Sequence, residues 1–510
     1  MRTITFLTFL IFQVHSINGQ TSLKEINLIN GKYNVGFQHY TIIDSTRTYQ
    51  IKNEFNNQFI NRPIPVSLWY PTKIDNKNSK QLTVLDYLEI LKEEEEWKNL
   101  PNEFLLDWFP SLWNTPQNRS HLPEKVNSFS NTTFLEGEFP VIVYAPSYQA
   151  SSIENFALFE YLVSHGFVVI SSPSRGTTTR WLEGGTTKDM ETQSRDIECL
   201  LKEIYKYENI DLNKIALMGF SFGGLSNAIT VMKNQNIGAL VSLDGTERYN
   251  YPVIEKSPYF DLDRFNIPYI HFAQKDIPEE VLSSDKIPAE LNYKFQLYDS
   301  LKYSNAYSYK FHDLTHSYFS SFGILFTNRD KRQDKSDDKI MTSYQLLSEH
   351  TLQFSKLYLK NEENAKVFIE NGPDENGFSE NLISKKMKKT LKTEFDYKDF
   401  NDSALNQNYQ DLIPLYQKVK EKYPRLQLNE GMLNTLGLRL SFNPEKTEEG
   451  INIFLLALHI YPKSANLYDS LAEAYLYERD YKNAILSFKK SIELDPQNQN
   501  AINKLKQLKE

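Results

Sequence analysis

The chain has 510 residues, which is too long for one compact core and therefore predicts two or three domains. Its hydrophobic content of 40% and aromatic content of 13% are typical of a globular protein and exclude a disordered one. The formal net charge is −8, and no basic block of the kind that follows a phosphate backbone is present, so nucleic acid binding has no support.

The first 19 residues have the pattern of a secretory signal peptide. Met1-Arg2 is a short cationic start, an apolar run covers 4–12, and polar residues lead to the junction Gly19-Gln20. The apolar run is too short for a comfortable membrane span. We therefore expect a mature protein that begins near Gln20 and is exported, to a periplasm or to the medium.

From about residue 31 to residue 360, short apolar runs alternate with helical patterns, and this order predicts an α/β sheet. The first run, 65–70, alternates between apolar and polar positions, as an outer antiparallel strand does. Five later runs are continuously apolar, as parallel strands buried on both faces require: 140–144, 166–170, 214–218, 238–243 and 268–272. We predict a doubly wound α/β sheet over residues 20–375, with ligands at the carboxyl ends of its strands.

Residues 81–137 interrupt the alternation with an insertion rich in helical pattern and aromatic residues. The segments 85–91 and 93–97 look helical, and 104–113 contains two tryptophans and two phenylalanines. Two interpretations stay open, a cap over the mouth of an active site or local packing at the edge of the sheet.

The segment 219–223, Gly-Phe-Ser-Phe-Gly, predicts a nucleophile elbow. It follows an apolar strand pattern at 215–218 and precedes small residues that begin a helix, which is the context that gives a G-x-S-x-G sequence its meaning. A serine on so tight a turn brings backbone segments close together and needs small neighbours. Ser221 is the candidate nucleophile, and the N–H of Phe222 is a candidate oxyanion donor.

A serine nucleophile needs a histidine base, and two candidates follow the strand-like segment 307–311. His316 lies in the loop beyond this strand and is preferred to His312, which is closer to the strand end. Their spacing of four residues could suggest a metal pair. However, no glutamate completes a zinc-protease helix, so we expect neither a metal nor an organic cofactor.

Two carboxylates compete for the role of orienting the base. Asp244 ends the strand directly after the nucleophile's helix, whereas Asp276 lies just past the next strand. The usual place of the acid, after the next-to-last strand of the fold, favours Asp276. The residues alone leave both open.

The sheet pattern stops near 372–377, and everything beyond the basic segment 385–389 reads as helical. We predict a solvated linker over 376–398 and an all-α domain over 399–510. From Ala465, and again from about Leu433, large and small residues occupy the packing positions of a 34-residue helix-turn-helix repeat. This spacing resembles tetratricopeptide repeats. Such repeats imply a surface for a peptide or protein partner, although a purely structural role is at least as well supported.

Several short segments of the first domain are similar to those of one known family. They are 216–224 around the elbow, 240–244 (Leu-Val-Ser-Leu-Asp), 164–169 (Ser-His-Gly-Phe-Val-Val), His316 with Phe322, and 33–36 leading to 68–71. Over roughly residues 30–330 the chain resembles the platelet-activating-factor acetylhydrolases, and the resemblance excludes the repeats. Carried over by position, it implies Ser221 as nucleophile, Asp244 as orienting acid and His316 as base.

The chain departs from that family after the strand that ends near Tyr144. Where members usually carry a His-Gly pair, this sequence has Ala-Pro-Ser-Tyr-Gln over 145–149. The resemblance then implies the N–H of Tyr148 as the second oxyanion donor, beside that of Phe222.

Together these patterns predict an α/β-hydrolase domain over residues 20–375 and, as its function, a secreted serine hydrolase that cleaves carboxylic esters through an acyl-enzyme. The resemblance implies short-acyl or phospholipid-type esters, with contact to a membrane surface but no spanning segment. Two alternatives are a serine peptidase on the same fold and a catalytically silent scaffold whose repeats do the binding.

Overall fold

The computed structural model describes residues 22–508 except 54, 76, 110–111, 235, 380, 392–394 and 424–425. The predicted signal peptide, residues 1–19, lies outside the described residues. The chain forms two compact units, Met1–Thr390 and Leu391–Glu510. Within the described ranges, no helix is both long enough and apolar enough to cross a membrane.

The first unit is built on one sheet, to which twelve strands of the described chain belong. In chain order they are β1 (Asn34–Lys52), β2 (Asn57–Lys73), β3 (Lys80–Thr83), β4 (Lys125–Ser130), β5 (Thr133–Phe134), β6 (Phe139–Ala145), β7 (Val168–Ser171), β8 (Ile210–Phe220), β9 (Ala239–Leu243), β10 (Tyr269–Ala273), β11 (Ala306–Phe311) and β12 (Ile383–Lys388). They lie side by side in the order β12-β11-β10-β9-β8-β6-β7-β2-β1-β4-β3, and β5 pairs with β2.

The centre of this sheet is parallel, as the apolar runs predict. Strands β6 to β11 pair in parallel with their neighbours, and β2 joins β7 in the antiparallel direction. Alternate side chains of each central strand enter the two hydrophobic clusters on opposite faces, so that Ile142 and Tyr144 face one cluster while Val141 and Val143 face the other. Burial on both faces requires continuous apolar sequence. The predicted α/β-hydrolase fold is confirmed.

Helices cover both faces of the sheet. In the first unit they are α1 (Leu23–Ile26), α2 (Val84–Leu88), α3 (Ile90–Glu94), α4 (Leu105–Trp108), α5 (Pro116–His121), α6 (Phe156–Ser164), α7 (Thr187–Glu203), α8 (Phe222–Lys233), α9 (Tyr251–Glu255), α10 (Glu279–Ser284), α11 (Gln296–Ser300), α12 (Ser321–Phe326), α13 (Asp337–Lys360) and α14 (Glu363–Glu370). Apolar residues of α6 and α13 enter one cluster and those of α7 and α8 the other, which gives the sheet its two covered faces.

The insertion 81–137 contributes to the sheet as well as to the surface. Its last part contains β4, which pairs in parallel with β1, and β3 pairs with β4 in the antiparallel direction. The segment between them carries α2 to α5, and Tyr87, Leu88 and Leu105 are fully buried in the core. The insertion is therefore firmly attached to the sheet and is not wholly helical.

The predicted linker 376–398 contains a strand, which corrects that prediction. Strand β12 pairs with β11 over six residues in the antiparallel direction and closes one edge of the sheet. Ile383 is buried, whereas Lys386 and Met387 are exposed. Charged residues on an edge strand discourage pairing with other chains. The lysines of β12 give it this composition. It is also the composition of a solvated linker, which is why the sequence predicted one here.

The second unit is helical, as predicted. Its helices are α15 (Tyr397–Asn406), α16 (Leu412–Lys422), α17 (Glu430–Ser441), α18 (Thr447–Ile460), α19 (Ala465–Tyr477), α20 (Tyr481–Leu494) and α21 (Gln499–Gln507). Small residues lie beneath large rings where neighbouring helices pack. A Cβ added to Gly437 would lie 2.7 Å from the ring of Phe454, and Phe488 is buried beside Ala472 and Ala484. The tetratricopeptide assignment of these helices remains a prediction.

Candidate active site

Ser221 lies on a tight turn between β8 and α8, at the carboxyl edge of the sheet. Its backbone has φ 52° and ψ −118°, a conformation that side-chain-bearing residues rarely adopt. The turn needs the flanking glycines, because a Cβ on Gly223 would lie 1.9 Å from the carbonyl oxygen of Ala145. The Ser221 N–H donates to the Leu243 carbonyl at 3.1 Å, which ties the turn to the end of β9.

His316 is the histidine that reaches this serine. Its Nε2 lies 2.9 Å from Ser221 Oγ, and its Nδ1 lies 2.6 Å from Asp244 Oδ2. The ring packs at 4.9 Å on that of Phe220, and the backbone N–H of His316 donates to the Gln274 side chain at 3.1 Å. These contacts hold the imidazole between a hydroxyl and a carboxylate, the arrangement in which it can take a proton from the serine.

Asp244 is fully buried at the end of β9. Its Oδ1 accepts hydrogen bonds from Tyr249 Oη at 2.5 Å and from the Gln274 N–H at 2.9 Å, while Oδ2 faces His316. Burial by itself raises the pKa of Asp244, but the hydrogen bonds and charge of His316 and the hydroxyl of Tyr249 outweigh it. The pKa of this carboxyl therefore lies below its usual value.

The competing sequence candidates lie elsewhere. Asp276 is exposed, and its carboxylate pairs with Lys310 Nζ at 2.5 Å. His312 is also exposed, at the end of β11, where its N–H donates to the Leu382 carbonyl. The structure brings together Ser221, His316 and Asp244, and it leaves Asp276 and His312 out. Among the side chains that the structure describes, no group of three or more His, Cys, Asp or Glu residues is arranged to hold a metal ion.

The two candidate oxyanion donors lie on adjoining segments. Phe222 is the first residue of α8, so its N–H precedes the first hydrogen bond of that helix. Tyr148 lies in the loop after β6 and borders the same cavity as Ser221. The rings of the two residues pack edge to face at 5.8 Å, and the Tyr148 hydroxyl accepts from the Gly184 N–H at 3.1 Å.

A buried carboxyl that the sequence did not single out holds this loop. Glu154 accepts hydrogen bonds from the Ser147 N–H at 2.9 Å, from the Ser147 hydroxyl and from Tyr144 Oη at 3.2 Å. Burial raises its pKa to about 7, although these donors and the nearby charge of His316 act in the opposite direction. Lying just before α6, Glu154 reads in sequence as an ordinary solvated acid at a helix start, so no local signal identifies it.

A cavity of about 730 Å³ opens over Ser221 and His316, within the usual range for small-molecule sites. Loop residues 147–151, Arg180, Trp181 and residues of the 316–327 segment line part of it. Glu154 and Phe220 border it as well, and the insertion supplies a further part of the wall, through Leu91, Glu95, Trp97, Trp108, Phe109 and Leu112. The insertion therefore both packs on the sheet and borders the candidate active site.

Comparison with known proteins gives a match to a family model and likenesses to solved structures, including a distant one to an esterase. Residues 154–248, which include Ser221 and Asp244, match the model of the prolyl oligopeptidase family. A ferulic acid esterase from Streptomyces cinnamoneus is 14% identical, with a TM-score of 0.48, over 71% of this chain and 99% of that chain. No curated protein matches the sequence. The fold, the Ser-His-Asp geometry and the family match together support a serine hydrolase.

Proposed function

We propose that the protein is a carboxylic ester hydrolase that works through an acyl-enzyme. Ser221 Oγ attacks the ester carbonyl, His316 takes its proton and later delivers it to the leaving alcohol, and Asp244 holds the imidazole. The N–H groups of Phe222 and Tyr148 stabilise the oxyanion. Water, activated by the same histidine, then releases the acid and restores the serine.

One observation carries this proposal. His316 lies within hydrogen-bond distance of Ser221 on one side and of Asp244 on the other, at 2.9 Å and 2.6 Å. A serine hydroxyl is a weak nucleophile until a base of this kind is positioned beside it. The cavity above these residues gives an ester access to Ser221.

The test is hydrolysis of short-chain nitrophenyl esters by residues 20–510 and by its Ser221→Ala variant. We expect the variant to lose the activity by about 10⁴-fold or more. Equal background rates in the two proteins would mean that Ser221 does not hydrolyse these esters, and the peptidase and the catalytically silent scaffold would then be the remaining alternatives.

A serine peptidase is the second candidate, and the match of residues 154–248 to the prolyl oligopeptidase family favours it. The same triad can cleave amides as well as esters. Hydrolysis of aminoacyl nitroanilides by the wild type, lost in Ser221→Ala and faster than that of simple esters, would favour the peptidase.

The finer parts of the proposal rest on sequence patterns. The acetylhydrolase-like segments suggest short-acyl or phospholipid-type esters and contact with a lipid surface. The pattern of residues 1–19 suggests export. The repeat-like spacing in the second unit suggests a peptide or protein partner, which pull-down with the isolated substrate-free protein and a defined peptide library would test.

A further inference from the structure

The wall that the insertion contributes to the cavity consists largely of rings. Trp97, Trp108 and Phe109 border the cavity, and the two indole rings pack edge to face with centroids 4.5 Å apart. Trp97 and Trp108 are 38% and 49% exposed. An apolar group that covers such rings removes their surface from water, which makes its binding favourable.

Glu95, the charged residue of this wall, is paired with Arg180, which lines the cavity beside the wall. Arg180 donates to the Glu95 carboxylate and, at 2.7 Å, to the Glu95 carbonyl oxygen. Its guanidinium lies 4.1 Å from the ring centroid of Trp181, another cavity residue. Because the two charges are paired, this side of the cavity favours a neutral group over an ionic one.

The wall is fixed to the loop that follows Tyr148. The buried carboxylate of Glu94, at the end of α3, accepts from the hydroxyls of Ser151 and Ser152 and from the Ser152 N–H at 3.2 Å. Arg175, itself buried, donates to the Glu94 carbonyl oxygen. A wall held in this way is already formed before a ligand arrives, so little ordering free energy is lost on binding.

We propose that this wall is a subsite for an aromatic group of the ester substrate. This proposal rests on the ester hydrolysis proposed above. The group packs against the rings of Trp97 and Trp108. Ring pairs in edge-to-face or offset arrangements attract each other beyond the effect of buried area, an advantage that an alkyl chain of equal area lacks. The subsite thus selects esters that carry an aromatic ring over esters that carry an alkyl chain of similar size.

Kinetics on matched pairs of esters test this selection in the full chain. The pairs are 2-phenylethyl acetate with octyl acetate, and ethyl 3-phenylpropanoate with ethyl octanoate. In at least one pair we expect the wild type to hydrolyse the phenyl-bearing ester with the higher kcat/KM. In Trp108→Ala we expect the ratio of the two kcat/KM values, phenyl-bearing over alkyl, to fall about tenfold. Trp113→Ala is the matched control, because Trp113 belongs to the same insertion, is 57% exposed and is not a cavity residue.

The ratio must respond to the cavity tryptophan alone. The subsite would be overturned if the kcat/KM ratio of the phenyl-bearing to the alkyl ester were the same in wild type and Trp108→Ala. It would also be overturned if this ratio fell equally in Trp113→Ala. Faster hydrolysis of the alkyl member in both pairs would also overturn it and would indicate a site for lipid chains.

Binding to the inactive Ser221→Ala protein separates the subsite from catalysis. We expect 2-naphthol to bind more tightly than 1-octanol, as measured by calorimetry, and the added substitution Trp108→Ala to weaken naphthol binding about tenfold. If the wild type hydrolyses no ester while this result holds, the ester proposal fails and the aromatic subsite stands. Equal binding of the two alcohols, or no binding, would overturn the subsite whatever the kinetics show.

Discussion

At the residue scale, the candidate site contains a buried carboxylate, that of Asp244, whose charge is stabilised by several hydrogen-bond donors. Asp244 has no contact with solvent, yet Tyr249, Gln274 and His316 all direct hydrogen atoms toward it. These donors keep it ionised at neutral pH, so it can fix the imidazole with Nε2 free to accept a proton from Ser221.

Replacing this carboxylate identifies the acid of the triad. In Asp244→Asn we expect kcat for ester hydrolysis to fall by about 10⁴-fold, because the amide favours the wrong tautomer of His316. Asp276→Asn, the matched control at the exposed aspartate, should keep wild-type kcat. Steady-state kinetics of both variants decide the matter, and the reverse order of effects would make Asp276 the acid.

We propose that Glu154 is a positioning residue for the loop that carries the candidate oxyanion donor Tyr148. In Glu154→Ala the Ser147 N–H loses its acceptor, so we expect kcat to fall about 10- to 100-fold with little change in KM, and Glu154→Gln to restore part of the loss. Glu160→Ala is the control, since Glu160 is equally buried on α6 but contacts β4 and Tyr87. A fall in kcat as large in the control would show that lost stability, not loop position, causes the effect.

At the element scale, β12 supports the segment that carries the candidate catalytic histidine, His316. It pairs with β11, and the Leu382 carbonyl just before it accepts from the N–H of His312. Without β12 the edge of β11 would be open to solvent and to other chains.

Two shortened chains test this role. A chain that ends at Thr390 should keep ester hydrolysis and a thermal midpoint close to that of the first unit in the whole protein. A chain that ends at Leu382 should melt lower, by roughly 5 °C or more, and aggregate more readily. Calorimetry and light scattering compare the two, and equal midpoints would assign residues 383–390 to a linker after all.

Local patterns predicted the parallel strands and the elbow because burial on both faces and a tight turn each leave a signal within a few residues. The choice between Asp244 and Asp276 had no such signal, since both follow strand ends and only the path of the chain buries one of them. Glu94 and Glu154 were missed for a similar reason. The donors of Glu94 come from a distant segment, and those of Glu154 lie 7 and 10 residues earlier, in the loop after β6 and on β6 itself. The residues directly beside either glutamate in sequence therefore do not mark it as buried.

At the scale of the whole molecule, four fully buried glutamates in the described part of the first unit have pKa values well above that of an unfolded chain. They are Glu94, Glu154, Glu160 and Glu247, and burial raises the pKa of each to about 7. In an unfolded chain a glutamate titrates near pH 4.3. Between these values the folded protein holds protons that the unfolded chain releases, so folding is favoured at the acidic end of the range.

The contribution of these carboxyls to stability should therefore fall as pH rises from about 6 to about 8. Below about pH 6.5, His39, His271 and His350 act in the opposite direction, because burial lowers the pKa of each and the unfolded chain binds protons that the folded protein does not. A carboxyl whose pKa is raised from its usual value to about 7 contributes up to about 3 kcal/mol to the change in unfolding free energy, and this contribution is nearly lost by about pH 8.

Urea unfolding at several pH values measures the slope of the unfolding free energy against pH. Glu160→Gln removes one titrating group away from the active site and should flatten it, whereas Glu208→Gln, at an exposed glutamate, should not. An unchanged slope in Glu160→Gln would mean that this carboxyl stays ionised in the folded protein, held by the Asn127 and Ser128 N–H groups at 2.9 and 3.1 Å.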